Sequence, residues 1–173
     1  MIVAESGEAV VEFVRAHENW AAPVVFLLAF AESFAFISLV LPATVILLGI
    51  SGLLTAARIG FWPVYIVAVC GAFAGDWLAY ELAVHFKGRI ANIWPISKHP
   101  ELLRMGFGLF QKWGIIIVFF GRFFGPLRAA VPLVAGIVGM PRIKFQFANI
   151  GSAIIWAAGV LSPAAVAMHW LLG

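Results

Sequence analysis

Two arginines stand inside an apolar run. Arg122 and Arg128 lie six residues apart in FFGRFFGPLRAAVP, residues 119–132. A guanidinium does not lose its proton in a protein, so each must find a partner, water or an anion. Gly125 and Pro126 between them predict a turn that lets the two heads converge. Two converging guanidiniums suit a phosphate, because each offers a planar fork to paired oxygens. A single acid, Glu32, interrupts an earlier apolar run, LLAFAESFAFI. One carboxylate cannot neutralise two arginines, and the positive charge left over points to an anionic ligand.

Glu32 itself needs an account, since a charge at the centre of a spanning helix costs at least about 2.5–3.5 kcal/mol. Apolar surroundings would make it a proton carrier, whereas an adjacent arginine would keep it ionised. A fixed Glu–Arg bridge is the plain structural alternative. For the arginines, the alternative is a long side chain reaching the headgroups, more so for Arg128 than for Arg122. Asp76, in GAFAGDWLAY, could partner an arginine, join a proton path, or sit solvated near a helix end. Tyr80 follows four residues later on the same helix face. Thr44, just after Pro42, adds a hydroxyl at a predicted turn. Asn149, in FQFANIGSAIIW, could hydrogen-bond between helices.

Other chemistries find no support. His85, His99 and His169 are scattered without metal-ligand spacing. There is no glycine-rich phosphate loop, HExxH or nucleophile elbow. No cofactor, metal or enzymatic reaction is therefore expected. The basic segment 87–112 lacks interleaved aromatic platforms, so no nucleic-acid partner is expected. The lone Cys70 lies in an apolar run and reads as a small buried residue.

The elements that would position these side chains follow from composition. The chain is 64% hydrophobic and 11% charged, with mean hydropathy +1.05. Soluble domains are nearer 45–50% apolar and about 25% charged, so an all-α membrane protein is expected. Residues 1–173 read as one membrane domain. Residues 2–20 predict an amphipathic surface helix, and their acidic character predicts no signal peptide. The run 21–57 is too long for one span of about 20 residues and too short for two. With Glu32 and Pro42 inside, it reads as a re-entrant helical hairpin. Residues 113–140, broken by Gly125-Pro126 and Pro132, read as a second. Residues 59–86 and 143–172 read as two long transmembrane helices, the first bearing a Gly71/Gly75 pair suited to close packing.

If only those two helices cross, segment 87–112 shares a side with Arg142 and Lys144. Its Lys87, Arg89, Lys98, Arg104 and Lys112 then place it in the cytoplasm by the positive-inside rule. The order hairpin–span repeats, and RIGF (58–61) and RIKF (142–145) open the two spans. Broken helices in an inverted repeat are a transporter pattern.

The stretches FAESFAFISLVLPAT, GAFAGDWLAY and FFGRFFGPLRAAVPLVAGIVGM, with FQFANIGSAIIW, resemble the DedA family, also called the VTT domain, of bacterial inner-membrane proteins. The resemblance covers about residues 24–160. It implies facing re-entrant hairpins and transport of a lipid phosphate, such as undecaprenyl phosphate or a phospholipid, linked to the proton-motive force. It assigns substrate binding to Glu32, Arg122 and Arg128 and proton coupling to Glu32, with membrane lipids as partners. A homo-oligomer is compatible with it. Thr44 stands where many members have a second acid, and a hydroxyl cannot exchange a proton near neutral pH. The rival readings are a proton-coupled ion antiporter and a membrane-protein folding factor.

Overall fold

The computed structural model describes residues 12, 16–34, 43–86, 107–108 and 110–172, and every regular element among them is helical. In chain order they are α1 (Glu18–Ser33), α2 (Ala43–Ala56), α3 (Phe61–His85), α4 (Ile115–Gly121), α5 (Gly125–Val138) and α6 (Arg142–Leu172). Two stretches, Phe61–His85 and Arg142–Pro163, are long and apolar enough to cross a membrane. At 1.5 Å per residue, the 25 residues of α3 reach about 37 Å, more than a hydrocarbon core of about 30 Å.

Helix α3 is the axis of the molecule. Helices α1, α5 and α6 pack along it, α2 and α4 pack on α6, and each short pair also touches itself. Glycine sets the tightest contact. A Cβ at Gly71 would stand 2.5 Å from the Phe26 carbonyl oxygen, and one at Gly75 would stand 2.6 Å from that of Phe30. The predicted Gly71/Gly75 pair is therefore the seam on which α1 lies.

Three contacts fix the two long helices as antiparallel. The Tyr65 hydroxyl donates to the Ile154 carbonyl at 2.9 Å, Asn149 Nδ2 to the Phe73 carbonyl at 3.1 Å, and Arg142 binds Glu81 at 3.0 Å. The chain leaves α3 at the end where α6 begins. Apolar packing falls into two main clusters. One joins Val25, Leu47, Val64 and Leu161, and the other joins Tyr80, Val118, Val134 and Phe145. Asp76 on α3 and Asn149 on α6 lie between the residues these helices give to the two clusters.

Several expectations change. Pro132 does not interrupt its helix; α5 continues from Gly125 to Val138 through it. The actual break precedes Gly125, and Pro126 sits in the first turn, where a missing N–H costs little. RIGF and RIKF are not structural equivalents. Arg58 has φ 59°, and the Ile59 amide bonds back to the Leu54 carbonyl, so Arg58 is the left-handed residue closing α2. Gly139, with φ 78°, closes α5 in the same way, with the Met140 amide bonding the Ala135 carbonyl. Arg58 thus corresponds to Gly139, three residues before Arg142, and the shared letters are out of register. Cys70 is exposed, because α3 buries Ala68 and Ala72 and turns residue 70 to the opposite side. Most of the expected surface helix 2–20, the segment 87–106 and Pro42 lie outside the described residues.

Candidate functional site

The site forms where four helix ends meet the middle of two long helices. Glu32 and Ser33 end α1, and Thr44 stands in the first turn of α2. Arg122 follows α4, and Arg128 lies in the first turn of α5. Asp76 on α3 and Asn149 and Trp156 on α6 complete it. The glycine seam sets the local approach: Gly75, next to Asp76, lies against Phe30 and Ser33, so the end of α1 packs closely beside this part of α3.

Arg122 is 4% exposed. Its Nη2 donates to Asp76 Oδ2 and, at 2.9 Å, to Asn149 Oδ1. Asn149 is held in turn by the Phe73 carbonyl, which fixes which amide atom faces the arginine. Arg128 sits at the rim, its side chain 12% exposed. Its Nη1 donates to Glu32 Oε1 at 2.5 Å and its Nη2 to Ser33 Oγ at 3.2 Å. Thr44 Oγ1 also donates to Glu32 Oε1. Trp156 underlies both cations, with its ring centre 4.7 Å from the Arg128 Cζ and 6.0 Å from that of Arg122. Such contacts contribute about 0.5–2 kcal/mol each.

The charge count corrects the sequence expectation. Asp76 neutralises Arg122 and Glu32 neutralises Arg128, so no positive charge is left over. The anion argument must rest on hydrogen-bonding capacity instead. Among the described residues, Arg122 Nε and Nη1 and Arg128 Nε are buried without a hydrogen-bond partner, as are Glu32 Oε2 and Asp76 Oδ1. A guanidinium offers five donors in a fixed fork, and here both forks are only partly used. Breaking either pair by removing one charge would cost about 3–5 kcal/mol, because the other would remain buried alone.

The structure brings together Glu32, Thr44, Asp76, Arg122, Arg128 and Asn149. The turn between the arginines is formed by residues 122–124, and Gly125 and Pro126 open α5 directly after it. Tyr80 is not brought to them. Its hydroxyl donates to the Met140 carbonyl at 2.5 Å and its ring stacks on Phe145 at 4.2 Å, so it secures the α5–α6 turn. It lies one helical turn beyond Asp76, and the interposed helix α5 draws it into the second cluster. Ser33 and Trp156 were missed as site residues. Ser33 adjoins Glu32 in sequence, and Trp156 lies seven residues, about two turns, from Asn149 on α6; that spacing is the signal for a shared face. Among the described residues no group of three or more His, Cys, Asp or Glu side chains could hold a metal ion.

Two apolar helices of spanning length, with ion pairs buried between helix ends, fit a helical membrane protein. The chain belongs to the VTT-domain, or DedA, family, whose profile matches residues 41–165. It is 30% identical over 159 residues to the inner membrane protein YabI of Escherichia coli, covering 89% of this chain and 63% of YabI. It is 29% identical over 143 residues to an uncharacterized membrane protein of Buchnera aphidicola, covering 83% of this chain and 56% of that protein. It is 28% identical over 145 residues to the inner membrane protein YghB of E. coli, covering 80% and 64%. The chain thus spans less than two thirds of the length of these relatives. No solved structure matches it.

Proposed function

We propose that the protein is a transporter that moves a phosphate-bearing lipid between membrane leaflets, with undecaprenyl phosphate or a phospholipid as the cargo class. In this reading the α1–α2 and α4–α5 pairs are re-entrant hairpins in an inverted repeat, entering from opposite sides. The protein sits in a bacterial inner membrane with the basic segment 87–112 in the cytoplasm. It acts as a carrier with no enzymatic step, and membrane lipids are its partners.

One observation carries the reading: among the described residues, buried guanidinium N–H groups of Arg122 and Arg128 have no acceptor. A phosphate presents several oxygens and can engage both forks, which a protein carboxylate already occupied on one edge does not. The site is charge-balanced, so an entering phosphate must release a carboxylate from its arginine. Glu32 is itself buried, but its partner Arg128 is the more exposed of the two arginines, so this pair is the one better placed to open. A proton carried by the released Glu32 would link lipid movement to a proton gradient. Thr44 would keep hold of either form, since a hydroxyl both donates and accepts. Asp76 stays with Arg122 and Asn149 and holds that arginine in place. The lipid tail remains in the bilayer throughout, so only the headgroup needs a polar path.

The test is reconstitution into vesicles with a fluorescent phosphate lipid, following its movement between leaflets. Arg122→Lys keeps the charge and loses the fork, and the initial rate should fall at least tenfold. An unchanged rate would remove Arg122 from the binding role. Glu32 Oε2 and Asp76 Oδ1, without a hydrogen-bond partner among the described residues, favour a second reading, proton-coupled cation exchange. Cation flux in the same vesicles, without lipid movement, would establish that reading in its place.

A further inference from the structure

One groove lies outside the ion-pair cluster and touches its wall. It measures about 310 Å³ and runs between α3 and α6, lined by Phe73, Arg142, Ile143, Gln146, Phe147 and Ile150. Its exposed lining is apolar, and Arg142 stands at one end of it. Arg142 begins the spanning stretch of α6, so it stands at headgroup depth, and Ile150 lies about 12 Å deeper along the helix axis. Ile143 and Phe147 are 72% and 70% exposed, facing what would be acyl chains. A cation at the interface with an apolar lining below it matches the orientation of a bilayer lipid with an anionic headgroup.

The groove also leads somewhere. Successive residues of a helix advance by about 100°, so Arg142, Gln146 and Asn149 fall within about 60° of arc on α6. They form a polar file descending from the interface. The buried amide oxygen of Gln146 has no hydrogen-bond partner among the described residues. Asn149 binds the carbonyl of Phe73, a wall of the groove, and accepts from Arg122 on the other side. The file therefore ends at the buried arginine. At its mouth Arg142 is held by Glu81 through two contacts of 3.0 Å, and the Trp77 indole donates to the same carboxylate at 3.3 Å.

We propose that this groove is a lateral port for a phosphate lipid. The phosphate docks on Arg142 in competition with Glu81, the chain lies along Phe147 and Ile150, and the headgroup passes by Gln146 and Asn149 towards Arg122. What happens at Arg122 rests on the transport reading above; occupancy of the groove does not.

The probe is a phosphatidic acid carrying a photoreactive group in its acyl chain, in phosphatidylcholine vesicles containing the full chain. Adducts are mapped by mass spectrometry. On the wild type they should fall on Phe147 and Ile150. Arg142→Gln should lower them at least fivefold. Glu81→Gln removes the same ion pair but frees the arginine, and should raise them at least twofold. Equal losses in both variants would mean that the pair only ties the helices together, and would overturn the port. Adducts indifferent to both changes would overturn it as well. Transport is followed in the same vesicles. Lipid movement without Arg142-dependent adducts sinks the port and leaves the transport reading standing. Adducts that obey Arg142 and Glu81 without any lipid movement sink the transport reading and leave the port.

Discussion

Adding one methyl group at Gly75 tests how the site is positioned. A Cβ there would stand 2.6 Å from the Phe30 carbonyl oxygen, 2.9 Å from the Ser33 Cβ and 3.1 Å from the Phe34 amide nitrogen. These are backbone or near-backbone atoms that cannot swing aside. Ordinary contact begins near 3.4 Å, so α1 must back away by about 0.8 Å. The Arg128–Ser33 hydrogen bond, now 3.2 Å, would open to about 4 Å, beyond bonding range. The Glu32–Arg128 pair would stretch with it. Overpacking costs about 1–3 kcal/mol. The helix propensity of alanine over glycine returns about 0.8–1 kcal/mol of that. The net loss of stability is then up to about 2 kcal/mol. The functional loss should be larger, because a displacement near 1 Å in a positioned site can cost about a hundredfold. Gly75→Ala should lower lipid transport by at least about tenfold, with a modest drop in melting temperature in detergent. Gly159→Ala is the control: a Cβ there meets nothing within 4 Å, so stability and transport should hold. If the two variants behave alike in both assays, the seam does not position the site and the reasoning fails.

Three further outcomes follow from the same geometry. Asp76→Leu strands a buried guanidinium and should destabilise the protein by about 3–5 kcal/mol, while the double change Asp76→Leu with Arg122→Met should recover most of that; chemical unfolding of all four forms measures the coupling. Trp156→Leu removes the ring beneath both arginines and should raise the lipid concentration needed for half-maximal transport several-fold, with Trp156→Phe retaining part of the affinity; a titration of reconstituted transport reads both. Arg58→Gly relieves a left-handed residue and should stabilise the protein by about 1 kcal/mol without changing transport, visible as a higher melting temperature.

Much of this protein was legible from the order of its residues. Hydrophobic run lengths alone separated the two long helices from the shorter pairs, because a bilayer sets a minimum span. The observed Phe61–His85 and Arg142–Leu172 fall within two residues of the expected spans at each end. Glu32, Arg122 and Arg128 drew attention for a reason that needs no fold: unpaired charge is costly in an apolar run wherever it sits. Tertiary structure decided which charge meets which. Asp76 could have been a partner, a relay or an interface residue, and only the packing of α4 on α6, and of α6 on α3, brings Arg122 to it. That contact cancels the positive excess counted from Glu32 alone and moves the case for a phosphate onto unused donors. Tyr80 and Trp156 make the same point in opposite directions. Tyr80 shares a helix face with Asp76 yet is drawn into the α5–α6 turn, while Trp156, far from either arginine in sequence, lies beneath both. Side-chain type and spacing state what each residue needs; which neighbour meets the need is a property of helices approaching one another, and no local pattern encodes that distance.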